Sequence, residues 1–121
     1  MTIERLGREM INLIPQLARF CPPATIFDKH VYSPWFEGHL HEKLQKRGID
    51  SLVVSGGETD VCVLDTVLGA VNLGYRVIVA VDALCSSSDE THDSMLELFG
   101  RRYGQQIETA TVEDIARHWD E

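Results

Sequence analysis

Apolar residues along the chain follow two rhythms, one helical and one extended. Residues 4–20 carry Leu6, Met10, Leu13, Leu17 and Phe20 at three- and four-residue spacing, which predicts an amphipathic helix. Pro22-Pro23 ends it, because proline lacks the N–H a helix interior needs. Ala24-Thr25-Ile26-Phe27 then reads as a short strand leading into Asp28-Lys29-His30. A short helix is expected over 38–47, with Leu40 and Leu44 inward and Gly48 as its stop. Ser51-Leu52-Val53-Val54-Ser55 is a β-rich run, expected to be a buried strand and broken by Gly56-Gly57.

Thr59 is the expected N-cap of the next helix and Asn72-Leu73-Gly74 its stop. Between them Val61, Val63, Leu64, Val67, Leu68, Ala70 and Val71 are apolar nearly all round, the mark of a deeply buried helix. Arg76-Val77-Ile78-Val79-Ala80-Val81 is the clearest strand, expected to end at Asp82. Ser87 and Glu90 are spaced as a capping box for a helix running to about Tyr103, with Gly104 as its stop. Gln106-Ile107-Glu108-Thr109 is a last strand, and Thr111 with Asp114 starts a final helix through Trp119. Strands alternating with helices indicate an α/β fold built on a parallel sheet. No repeat and no linker interrupts residues 1–121, so one domain is expected.

Composition narrows the functions. A net charge of −8 argues against DNA or another polyanion, since neutralising phosphates takes clustered Lys and Arg. No apolar run approaches the roughly 20 residues that span a bilayer, and Met1-Thr2-Ile3-Glu4-Arg5 lacks a signal-peptide pattern, so no membrane partner is expected. Cys21, Cys62 and Cys85 are odd in number and form no CxxC, which suits neither a disulfide framework nor a zinc site. Free thiols in a reducing cytoplasm are expected. His39 and His41 lie at i,i+2 spacing and point to different helix faces, and His30, His92 and His118 show no partner spacing, so neither metal nor cofactor is expected.

Ligand sites of parallel sheets lie at the carboxyl ends of the strands. Phe27-Asp28-Lys29, the run from Gly56 to Cys62, and Asp82-Ala83-Leu84-Cys85 all reach that edge. With Thr59 as cap, Cys62 falls in the first helical turn. There the dipole favours the thiolate, the reactive form, and free N–H groups can hold an oxyanion. Read from the residues alone, Cys62 is either a nucleophile or a small core hydrophobe, and Cys21 and Cys85 fit the second description better. Lys29 is either a site cation or a solvated surface charge. Ser86-Ser87-Ser88 is a polar loop placed to rim the site, and Gly56-Gly57 is no phosphate loop, since no Gly-Lys-Ser/Thr follows.

The stretch from Val53 to Val63, followed by Thr66, Ala70, Gly74-Tyr75 and Val81-Asp82-Ala83, resembles the signature of the isochorismatase-like superfamily. That group includes nicotinamidases and N-carbamoyl amidases. Asp28-Lys29-His30-Val31-Tyr32-Ser33-Pro34-Trp35-Phe36 resembles its lysine segment, at the right separation from the cysteine block. The resemblance implies a three-layer, Rossmann-like sheet with helices on both faces and strand order 3-2-1-4-5-6. It also implies a cysteine-dependent hydrolase of a small amide, carbamoyl or related substrate, working through a thioester on Cys62. Lys29 would stabilise the thiolate and the negative intermediate. The N–H groups of Glu58 and Cys62 would form the oxyanion hole, beside a cis peptide at Gly57–Glu58. Tyr32, Trp35 and Phe36 are candidate pocket walls or, equally, core.

No segment matches the family's first two strands or the aspartate that ends the first. Asp28 and Asp60 adjoin motif residues without matching that position. The chain is therefore read as an N-terminally truncated member whose sheet edges are bare, and bare edges favour a homo-oligomer. Two alternative readings follow. One is a catalytically impaired or non-catalytic homologue acting as an oligomeric scaffold; the other is hydrolysis of an isochorismate-type enol ether.

Overall fold

The computed structural model describes residues 13–120. Its elements are helix α1 (Pro15–Ala18), helix α2 (Leu40–Lys46), strand β1 (Ser51–Gly57), helix α3 (Cys62–Asn72), strand β2 (Arg76–Cys85), helix α4 (Asp89–Arg102), strand β3 (Ile107–Ala110) and helix α5 (Val112–Arg117). The three strands form a parallel sheet in the order β1-β2-β3. Parallel neighbours need a crossover between them, and α3 and α4 supply the two crossovers.

Strand alternation decides which helix covers which face. Val54, Val77, Val79 and Ile107 share one face and pack with Val63, Val67 and Ala70 of α3 and Phe99 of α4. On the opposite face Val53, Ile78 and Ala110 line a groove with Ile115 and Trp119, next to α5. Helices thus cover both faces, as an α/β parallel sheet requires. β1 and β2 run in register from Ser51↔Arg76 to Val54↔Val79, then shift, so that Gly56 pairs with Leu84 and Gly57 with Cys85. The shift brings the carboxyl ends of the two strands together where the segment leading to Cys62 begins.

Several expectations need correction. Residues 24–27 form no strand, and Ile26 stays exposed. An extended tetrapeptide needs a neighbour to pair its backbone, and among the described residues β1, an edge strand, takes none on its outer side. Being an edge also makes β1 more exposed than a buried strand, with Val54 its one buried residue. β2 runs past Asp82 to Cys85, and the Asp82 carboxylate instead accepts the Val112 N–H at the start of α5. The N-cap of α4 is Ser88, not Ser87; its hydroxyl accepts the Thr91 N–H. Most of the helix expected over 4–20 lies outside the described residues, and within them only the single turn Pro15–Ala18 is helical. The Thr111 cap and the short α2 agree with expectation. No described helix is long and apolar enough to cross a membrane.

Candidate active site

Cys62 is the first residue of α3, an 11-residue helix, and its side chain is half-buried. The N-cap is Val61, with no side-chain capping bond. Thr59, expected in that role, is turned inward instead and has 0% exposure. A threonine can cap a helix or satisfy a buried site, and here the burial wins. Its N–H donates to the Cys85 carbonyl at 3.0 Å and its hydroxyl donates to the same oxygen at 3.2 Å. The hydroxyl oxygen also lies 2.8 Å from His92 Nδ1.

The turn from Gly57 to Val61 connects β1 to α3, and the Gly57–Glu58 peptide is cis. Gly57 must lack a side chain, since a Cβ there would sit 2.8 Å from Cys85 Sγ and 3.1 Å from the Cys85 carbonyl oxygen. The Glu58 carbonyl accepts the amides of Val61 and Val63. The amides of Glu58 and Cys62 donate to no acceptor among the described residues. Two unpaired donors at the positive end of a helix suit a carbonyl oxygen that gains negative charge.

The segment from Cys85 to His92 holds every residue between the cis bond and Val61. Glu58 Oε1 accepts the Ser87 N–H at 3.0 Å, and Asp60 Oδ1 accepts the Ser86 hydroxyl at 2.6 Å. The Ser86 bond, followed by one from Thr91, holds the Asp60 carboxyl below the usual carboxylate range. Ser86 does rim this turn, as its place after Asp82 suggests. His92 was missed as a partner, although the sequence carries a signal for it: it lies three and seven residues before Met95 and Phe99. That spacing puts it on the core-facing stripe of α4.

The lysine segment is placed differently. Lys29 is exposed, and its ammonium donates to the carbonyl of Val31 at 2.9 Å. The cleft beside it is lined by Lys29, His30, Val31 and Tyr32, without Cys62. The three aromatic candidates separate. Tyr32 and Phe36 are exposed, at 63% and 85%. Trp35 packs down on α3, donating its indole N–H to the Thr66 carbonyl at 3.0 Å and stacking on Tyr75 at 5.7 Å. Burial raises the Tyr75 phenol above its ordinary range, and its hydroxyl lies 2.7 Å from His41 Nδ1. Cys21, Cys62 and Cys85 are free thiols.

A sequence profile of the isochorismatase domain matches residues 5–111. The chain belongs to the isochorismatase family. An isochorismatase-family protein of Bacillus subtilis (strain 168) is 35% identical over 86 residues, which is 71% of this chain and 47% of that protein. The crystal structure of a nicotinamidase from Staphylococcus aureus superposes with a TM-score of 0.66 at 30% identity, covering 74% of this chain and 58% of that one. For an N-carbamoylsarcosine amidase from Thermoplasma acidophilum the TM-score is 0.60 at 32% identity, covering 69% and 45%. This isochorismatase-family chain thus spans about half the length of these relatives.

Proposed function

We propose that this chain carries the nucleophile half of a cysteine hydrolase acting on a small amide, carbamoyl or related substrate. What supports the reading is the pairing of Cys62, at the first position of α3, with the unpaired amides of Glu58 and Cys62 beside it. Cys62 Sγ attacks the carbonyl carbon, and the carbonyl π electrons move to oxygen. The two amides hold that oxyanion. Its collapse breaks the C–N bond, the amine leaves with the proton given up by the thiol, and a thioester remains. Water then adds to the thioester, releasing the acid and restoring the thiol. Lys29 supplies positive charge once its side chain turns from Val31 toward the thiolate. Among the described residues no carboxylate hydrogen-bonds Cys62, so no second acid–base residue is assigned.

Relatives named for nicotinamidase and N-carbamoylsarcosine amidase activity point to nicotinamide and N-carbamoyl amines as first substrates. The assay is release of ammonia from each by the 121-residue chain, with Cys62→Ala as control. Hydrolysis that Cys62→Ala abolishes is expected; hydrolysis that persists in Cys62→Ala eliminates the nucleophile.

A second reading has its own support. Lys29 is bonded within its own loop and, among the described residues, β1 has an open edge, which suits a non-catalytic homologue that assembles through that edge. Full chain that hydrolyses neither substrate and elutes as an oligomer by light scattering favours this reading; a monomer removes it.

A further inference from the structure

We propose that His92 is a positioning residue for the chemistry at Cys62: from α4 it fixes the buried Thr59 hydroxyl, and so aims the Glu58 and Cys62 amides. The inference rests on the reading of Cys62 as nucleophile and extends it to a residue 30 positions away in sequence.

The Thr59 side chain is fully buried, so water cannot replace a partner that it loses. Its single hydroxyl hydrogen goes to the Cys85 carbonyl, which leaves the oxygen as the acceptor toward His92 Nδ1 at 2.8 Å. We assign Nδ1 as the donor in this bond, because the hydroxyl has one hydrogen and the carbonyl can only accept. An imidazole with its proton there keeps the contact, and so does the imidazolium. The bridge depends on a donor at the Nδ1 position rather than on charge.

The other two ties to this turn are weaker determinants of its shape. The Ser87 N–H to Glu58 bond is exposed, and the Ser86 to Asp60 bond joins two partly exposed side chains, so water reaches both, whereas Thr59 has no exposure. Thr59 lies between the two amide donors in sequence, directly after Glu58 and three residues before Cys62. Moving it moves both. The far end of the bridge is firmly held. Phe99, seven residues after His92 on the same face of α4, has 0% exposure in the core under the sheet. A donor mounted on a packed helix and reaching a buried acceptor is how a scaffold transmits position to a reactive turn.

The test compares His92→Leu, which has no donor, with His92→Asn, whose side-chain N–H can reach the place of Nδ1. The readout is the iodoacetamide alkylation rate at Cys62 near neutral pH, resolved from Cys21 and Cys85 by peptide mass spectrometry, with melting temperatures recorded alongside. In the wild type, Cys62 is expected to react faster than free glutathione. His92→Leu is expected to slow Cys62 by about tenfold or more, and His92→Asn to restore it to within about threefold. Thr59→Val, which deletes the acceptor with little change of shape, should match His92→Leu, and the double variant should lose no more than either single one. These comparisons also serve if His92→Leu folds poorly. A wild-type Cys62 no faster than glutathione removes the nucleophile and this inference together. A fast wild type with an equally fast Thr59→Val removes the inference alone, as does failure of His92→Asn to recover the rate.

Discussion

Glycine-to-alanine exchange at two helical positions should give effects of opposite sign. Alanine is favoured over glycine inside a helix by about 1 kcal/mol, so the exchange stabilises wherever the added methyl has room. Gly100 in α4 has that room, since a Cβ there meets nothing within 4 Å. Gly69 in α3 does not. Its Cβ would lie 2.6 Å from Trp35 Nε1, and closer still to the neighbouring ring carbon. Carbon and nitrogen atoms in contact sit about 3.5 Å apart or more, so the indole must retreat by about 1 Å. The rigid ring cannot give way by changing one terminal torsion. Its retreat breaks the 3.0 Å bond to the Thr66 carbonyl, a loss of about 1 kcal/mol, and disturbs the stacking on Tyr75, a further ~1 kcal/mol. Lost packing adds about 1 kcal/mol. Against the helical gain, Gly69→Ala should destabilise by about 2 kcal/mol, a fall of roughly 8 °C in melting temperature for a domain of this size. Gly100→Ala should stabilise by about 0.5–1 kcal/mol, a rise of roughly 2–4 °C. Thermal unfolding of both variants beside the wild type decides it. If Gly69→Ala raised the melting temperature as Gly100→Ala does, Trp35 would not be packed on α3, and the anchoring of the 33–37 loop would need revision.

Asp60 has its carboxyl pulled below 3.8, first by the Ser86 hydroxyl, so the stability it contributes is present above the unfolded value and lost as pH falls through the folded one. Ser86→Ala should flatten the loss of stability below about pH 4 and move the Asp60 titration upward by NMR; an unchanged Asp60 titration refutes the bond. Tyr75 is shifted the other way, above 10.0 by burial, so its contribution is present below about pH 10 and lost as pH rises through its folded value. Tyr75→Phe should remove part of the alkaline loss in denaturant titrations, and identical pH profiles for the two proteins would contradict this. Gly57→Ala should slow alkylation at Cys62 by about tenfold through its overlap with Cys85 Sγ and the Cys85 carbonyl. Combining it with Cys85→Ala removes the Sγ overlap but not the carbonyl one, so the double variant should recover only partly.

The residues that were legible in the sequence are those whose fate is decided within one element. Arg76-Val77-Ile78-Val79-Ala80-Val81 is a short, β-branched apolar run closed in by Gly74 and Asp82, and such a run reads as a strand from its own composition. Gly48 and Gly74 follow α2 and α3 at positive φ, where only glycine is free of strain, so both stops could be placed from residue type. The misreadings share a different cause. Ala24-Thr25-Ile26-Phe27 has strand composition, but a strand is a relation between two segments, and among the described residues β1 takes no partner on its outer side. Thr59 satisfies the local rule for an N-cap, yet its hydroxyl serves Cys85 and His92, 26 and 33 residues away. Tyr32, Trp35 and Phe36 look alike as a string of aromatics, and it is contacts far along the chain, with Gly69, the Thr66 carbonyl and Tyr75, that draw in Trp35. The same division runs through the candidate site. Its proposed chemistry, a thiol at a helix start after a Gly-Gly turn, is written in one short stretch of chain, whereas the partners of the buried Thr59 in that stretch are a carbonyl and an imidazole from a later segment. A short motif can therefore reveal which atom would react while remaining silent on whether that atom is held in place. For this chain the distinction has a physical address: Thr59 is bonded to His92 beside the two amides proposed to hold the oxyanion, whereas Lys29, the proposed cation, is bonded to the Val31 carbonyl in its own loop.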